Sequence, residues 1–117
     1  MTAMREPTFL VLTALADGPL HGYGVIQEVS ALSQGETVLG AGTLYGALDR
    51  LAERGLVAVD REEAVDGRLR RYYRLTDDGA AALAAEVARL RRNASAAEAR
   101  LRRRPGPAFG ATSGATA

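Results

Sequence analysis

The stretch Gly67-Arg-Leu-Arg-Arg-Tyr-Tyr-Arg-Leu75 places four arginines and two tyrosines in nine residues. The whole chain of 117 residues carries a formal net charge of only +1. A solvated strand needs some charge, but not this much of one sign. On strand alternation Arg68, Arg70, Tyr72 and Arg74 share one face, and Leu69, Arg71, Tyr73 and Leu75 share the other. The second face holds an apolar pair, Leu69 and Leu75, expected to pack on a core. The first is basic with an aromatic, suited to phosphate contact or minor-groove insertion. The alternative is a solvated face paired with acidic neighbours such as Glu62 and Glu63.

What flanks the stretch gives it a place in a fold. Upstream, "LVAVD" reads as a strand and "REEAVDG" as a turn closed by Asp66-Gly67, so "RLRRYYRL" is the returning arm of a hairpin. Before that lie three short helical patterns, with residues 1–6 expected to be loose. The first helix opens at Pro7 with Phe9, Leu12, Leu15 and Ala16 as its apolar stripe and stops at Gly18-Pro19. The second carries Val25, Val29 and Leu32, with Ile26 beside them. The third, beginning at Gly42, repeats Leu44, Leu48 and Leu51 at i, i+4 and i+7 and is capped by Gly55. Downstream, Thr76 is an N-cap followed by Asp77 and Asp78, opening a fourth helix to Arg103.

Helix, helix, helix, hairpin, long helix is the order of a winged helix-turn-helix. The expected fold is therefore mostly α, of the α+β kind, with a two-stranded β wing and one long C-terminal dimerisation helix. Three segments are expected: a winged helix-turn-helix over residues 1–76, the dimerisation helix over 77–103 and a disordered tail over 104–117, where Pro, Gly and small residues have nothing to bury.

The third helix is the candidate for DNA readout. Its leucines take one side, leaving Gly42, Gly46, Asp49, Arg50 and Glu53 on the other with Thr43 and Tyr45 on the flanks. Small residues at the N-terminal end let the backbone approach a major groove, with Tyr45 projecting. An ordinary amphipathic helix with a small exposed face would look the same. Asp49 and Glu53 repel phosphate, so only the first two turns suit the groove.

The fourth helix carries a different pattern. Ala80, Leu83, Val87, Leu90, Ala94, Ala97 and Leu101 alternate steps of three and four, the a/d seam of a coiled coil. The seam could pack on the chain's own first helix. A helix of this length, though, reaches about 40 Å, more than so small a domain can cover, so a second copy of the chain is the simpler partner. In such a dimer Phe9 and Leu12 could join Leu90, Ala94 and Ala97 around a pocket for a small apolar effector.

Composition narrows the classes. Hydrophobic residues make up 47% and charged residues 25%, ordinary for a globular protein. Cysteine is absent and His21 is the lone histidine, which leaves no Cys nucleophile and argues against a zinc site. Lys is absent as well, excluding the phosphate-binding loop that ends in Gly-Lys. No cofactor, metal or catalytic residue is expected, and His21 reads as a loop residue at a helix start. No apolar run approaches a membrane span and no signal pattern opens the chain, so the expected place is the cytoplasm. Residues 1–60 hold three Arg and seven acids, residues 61–117 twelve Arg and seven acids. Coding bias towards Arg explains part of this; Arg is also the better ligand for phosphate and guanine.

These residues resemble the PadR family of winged-helix transcriptional regulators, in register from about Pro7 to Gly79 through "GPLHGYGVIQEV", "GTLYGALDRLAERGLV" and "GRLRRYYRLTDDG". A single last helix is similar to the family's short subfamily. The resemblance implies a homodimer that binds an inverted-repeat operator on double-stranded DNA, usually as a repressor, and lets go when a small molecule binds. By position it implies Thr43 and Tyr45 on the recognition helix and Arg68, Arg70, Arg71 and Tyr72 on the wing. Two departures stand out. Gly46 replaces the Pro that often follows the Leu-Tyr pair, and Leu90 replaces the central Trp that stacks planar ligands in some members, so an effector held by ring stacking is not expected. A winged helix that mediates protein–protein assembly without DNA is the other reading, and it has no need of the wing arginines.

Overall fold

The computed structural model describes residues 3–106. Its elements are α1 (Glu6–Leu15), β1 (Leu20–His21), α2 (Gly22–Leu32), α3 (Ala41–Glu53), β2 (Val57–Val65), β3 (Arg68–Leu75) and α4 (Asp77–Arg103). This is the winged-helix order the sequence implies, with one strand more. β1 pairs antiparallel with β3, Leu20 opposite Tyr73 and His21 opposite Tyr72, giving a three-stranded sheet of order β1-β3-β2. Two residues show no alternation, so nothing in the local pattern marks β1 as a strand.

α1 lies inside the core rather than against it. Leu10, Val11, Leu12, Ala14 and Leu15 are all buried, a spread too wide for one stripe. Ala16, expected in the stripe, is exposed, and Phe9 is only half-buried. The helix begins at Glu6 with Pro7 in its first turn, and Met4 already packs on the core, so the fold takes in part of the stretch expected to be loose. From α2 come Val25 and Val29, both at 0% exposure, while Leu32 stays outside the core at 38%. Leu44, Leu48 and Leu51 of α3 complete the centre as their spacing predicts.

α3 ends in a paired cap. The Gly55 N–H donates to the Ala52 carbonyl at 3.0 Å and the Leu56 N–H to the Leu51 carbonyl at 2.9 Å, with Gly55 at φ +76°. The chain turns straight into β2, which runs further than expected. "REEAV" is strand, not turn; only Asp66 (φ +53°) and Gly67 (φ +76°) make the bend, the left-handed pair of a two-residue hairpin. The charged strand holds because Glu62 stands opposite Arg71 and Glu63 opposite Arg70.

α4 starts on the expected cap. Thr76 Oγ1 accepts from the Gly79 N–H at 3.0 Å and donates to the Gly55 carbonyl at 2.6 Å. Ala82 and Leu83 pack against the core, and Glu86 is buried at 3% exposure. The chain divides into two compact units between Glu86 and Val87, the second holding the rest of α4. Most of the 104–117 tail, from residue 107 on, lies outside the described residues, as do residues 1–2.

Candidate nucleic-acid interface

α3 presents its N-terminal end. Gly40, the extended residue before it, has no side chain with which to cap, and among the described residues no side-chain oxygen caps the first turn. The N–H groups there are free for an outside acceptor, at the positive end of the helix dipole. Gly42 and Thr43 are exposed, Gly46 is half-buried and Arg50 is exposed. Arg50 lies back along the helix, its Nη1 3.5 Å from where a Cβ on Gly46 would stand.

Tyr45 is placed more closely than a projecting side chain. Its hydroxyl end occupies the volume that a Cβ on Gly22 would need, so the ring leans on the first residue of α2 while 44% of the residue stays exposed. A cleft of about 560 Å³ opens beside it, bordered by His21, Gly22, Arg68 and Arg70. The recognition-helix candidate and the wing thus face one space.

Within the wing the expected contacts divide. Among the described residues Arg68, Arg70 and Arg74 form no ion pair, which leaves their guanidinium groups to an outside anion. Arg71 is engaged: its Nε donates to Glu62 Oε2 at 2.8 Å. The pair is exposed to solvent, so it neutralises Arg71 more than it stiffens the hairpin. Tyr72 is engaged too. Its hydroxyl donates to Glu63 Oε1 at 2.8 Å, the Arg61 guanidinium carbon lies 3.9 Å from its ring centre, and His21 meets its ring at 5.4 Å and 64°. So Glu62 and Glu63 engage Arg71 and Tyr72, and neither forms an ion pair with Arg68, Arg70 or Arg74 among the described residues.

Leu69 corrects the face assignment. Alternation puts it with Leu75 on the core-facing side, yet it is 68% exposed near the wing tip. The residues that carry the inner face are Tyr73, 4% exposed, and half-buried Leu75, because only the base of the hairpin reaches the helices. His21 has its pKa lowered by burial and then by the Arg70 charge, with Glu63 acting the other way.

The last helix also divides. Leu83 belongs to its own chain's core, whereas past Glu86 the seam is open: Leu90 and Leu101 are 40% and 42% exposed, Ala94 and Ala97 are exposed and Val87 is half-buried. The effector-pocket set needs one correction. Leu12 is at 0% exposure inside the core and cannot line a site for a ligand; half-buried Phe9 packs on the same core. Charge splits at the same boundary. Residues 1–86 hold eight Arg and thirteen acids, a balance of −5; residues 87–117 hold seven Arg and one acid, a balance of +6.

No helix among the described residues is long and apolar enough to cross a membrane. Gly22 and Arg61 carry no local signal of a role, because each matters through a partner distant in the chain, Tyr45 and Tyr72.

The family model described as the transcriptional regulator PadR-like family matches residues 11–85. Over 73 residues the chain is 44% identical to the transcriptional regulator Rv3488 of Mycobacterium tuberculosis, covering 62% of this chain and 64% of that protein. It is 49% identical over 53 residues to an uncharacterized 37.1 kDa protein of a Streptomyces fradiae transposon, 45% of this chain and 15% of that one. It spans less than two thirds of either relative. Its fold is similar to that of a PadR family transcriptional regulator from Eggerthella lenta (TM-score 0.67, 28% identity, 83% of this chain and 82% of that one). It is also similar to Bacillus subtilis PadR solved with operator DNA (TM-score 0.64, 21% identity, 71% of this chain and 47% of that one).

Proposed function

Because this chain belongs to the PadR-like family of transcriptional regulators, we propose that it binds double-stranded DNA as a homodimer and represses transcription in the cytoplasm from an inverted-repeat operator. The observation that carries the reading is the shared cleft: Tyr45 of α3 lines it together with Arg68 and Arg70, which form no ion pair among the described residues. In this arrangement Gly42, Thr43, Tyr45, Gly46 and Arg50 approach base edges in the major groove, and Arg68, Arg70 and Arg74 hold phosphate. The operator complex solved for Bacillus subtilis PadR supports the assignment by analogy of fold.

The dimer would form on the open part of the α4 seam, Val87 to Leu101, and spacing two wings by a two-fold axis is what an inverted repeat requires. A small, mostly apolar effector held by Leu90, Ala94 and Ala97 would release DNA by favouring another wing spacing.

The −5 balance of residues 1–86 favours a second reading, a winged-helix assembly module that meets a protein partner through α4 and not DNA. Gel shifts on the duplex upstream of the protein's own gene, at a series of salt concentrations, separate the two. If Z phosphates are neutralised, log K falls with log salt at a slope of about −0.9Z. Arg70→Ala should weaken binding to every sequence alike and flatten that slope by about one unit. Binding that ignores salt, or no binding, favours the assembly module.

A further inference from the structure

Tyr72 sits on the outer, basic face of β3, where a DNA contact would be looked for. Its surroundings leave it little freedom to make one. On one side the Arg61 guanidinium covers the ring at 3.9 Å. His21, directly opposite in the β1–β3 pairing, meets the ring at 5.4 Å in an edge arrangement. The hydroxyl hydrogen is given to Glu63 at 2.8 Å, and Glu63 in turn lies 3.6 Å from Arg61 Nε. We infer that Tyr72 is a positioning residue: its side chain ties Arg61 and Glu63 of β2 to His21, the last residue of β1, and so fastens the wing to the strand that leads into α2.

The hairpin is built to make this possible. Val59 pairs with Tyr73, but Tyr72 pairs with Arg61, so Asp60 is an extra residue bulged out of β2. In a regular ladder Asp60 would face Tyr72 and Arg61 would face Arg71, two like charges opposite each other. The bulge shifts the rest of β2 by one position, bringing Arg61 over the ring and setting Glu62 against Arg71 and Glu63 against Arg70. Asp60 is not wasted, since its carboxylate holds Arg61 Nη1 at 3.1 Å.

Position gives the fastening its effect. Tyr72 is the last residue of β3 that pairs with both neighbouring strands; from Arg71 to the tip only β2 supports it. The free cations Arg68 and Arg70 lie on that outer part. If its angle wandered, ordering it would cost entropy when DNA bound. The consequence for affinity rests on the DNA-binding reading; the fastening itself does not.

The test combines two measurements on the full chain. Amide exchange without DNA should speed up at Arg68 to Arg71 in Tyr72→Ala and stay near wild type in Tyr72→Phe, which keeps the ring between Arg61 and His21. Affinity for the upstream duplex should fall about tenfold in Tyr72→Ala and be largely restored in Tyr72→Phe. If Tyr72→Phe loses as much affinity as Tyr72→Ala while wing exchange is unchanged in both, the hydroxyl contacts DNA and the inference is overturned. If wild type binds no DNA, the DNA reading fails and exchange alone decides the fastening. Should Tyr72→Ala fail to fold, Arg61→Met removes only the guanidinium from the exposed side; unchanged wing exchange there overturns the inference as well.

Discussion

Gly22 and Tyr45 share one volume: the hydroxyl end of the Tyr45 ring lies where a Cβ on Gly22 would stand. The first residue of α2 therefore sets the angle of the side chain on α3 assigned to base readout. Gly22→Ala should push Tyr45 aside. What yields is the far end of a half-exposed side chain, so stability should change by no more than about 1 kcal/mol. Discrimination between operator and scrambled duplex should drop while the salt slope holds. Competition gel shifts that show no lost discrimination would mean Tyr45 does not read bases.

A second close approach has the opposite character. At Gly79 a Cβ would run into the Leu56 carbonyl oxygen and lie 2.8 Å from Leu75 Cδ1. That carbonyl also accepts from the Thr76 N–H at 3.1 Å, at the junction of β3 and α4. Backbone cannot step aside as a tyrosine tip can, so Gly79→Ala should cost about 1–3 kcal/mol. Gly46→Ala is the contrast: its Cβ meets only Arg50 Nη1 at 3.5 Å. Inside a helix that exchange should stabilise by about 0.5–1 kcal/mol. Urea unfolding of the two variants should show shifts of opposite sign.

Leu90→Asp should dissociate the proposed dimer. It would place a carboxylate in an apolar seam, at several kcal/mol unless paired. Sedimentation should show monomers and DNA affinity should collapse; a variant that stays dimeric places the interface elsewhere. Salt should act in opposite senses on the two associations. The second unit carries +6, so two copies brought together repel and added salt relieves the repulsion. DNA binding weakens with salt.

Acid should weaken the fold slightly through His21. Burial and the nearby Arg70 lower its pKa, with Glu63 opposing. The unfolded chain therefore takes up the proton more readily, and stability falls as pH drops through the ordinary histidine value of 6.5 towards the folded one. The loss is small because the ring is only partly buried. Thermal unfolding between about pH 7.5 and 5 should be less pH-dependent in His21→Asn than in wild type; an unchanged dependence would place the titrating group elsewhere.

Much of this protein is decided by short-range chemistry that one sequence displays. The leucine repeat of α3, the Gly55 cap, the Asp66-Gly67 turn and the Thr76 cap each act within a few residues. The element order they spell is the winged helix, and from it the helix start at Gly42 to Tyr45 and the Arg68–Arg74 wing could be picked out. Tertiary structure decided the rest. It made a strand of Leu20–His21 by supplying β3 as a partner, and it lengthened β2 across charged residues by pairing them with arginines. It set the Tyr72 ring between Arg61 and His21, put Leu12 inside the core and left Leu69 in solvent. It also gave Gly22 and Gly79 their neighbours, Tyr45 and Leu56. Each of these depends on residues seven or more positions apart, and at that separation which groups meet is fixed by the packing of whole elements and not by local periodicity.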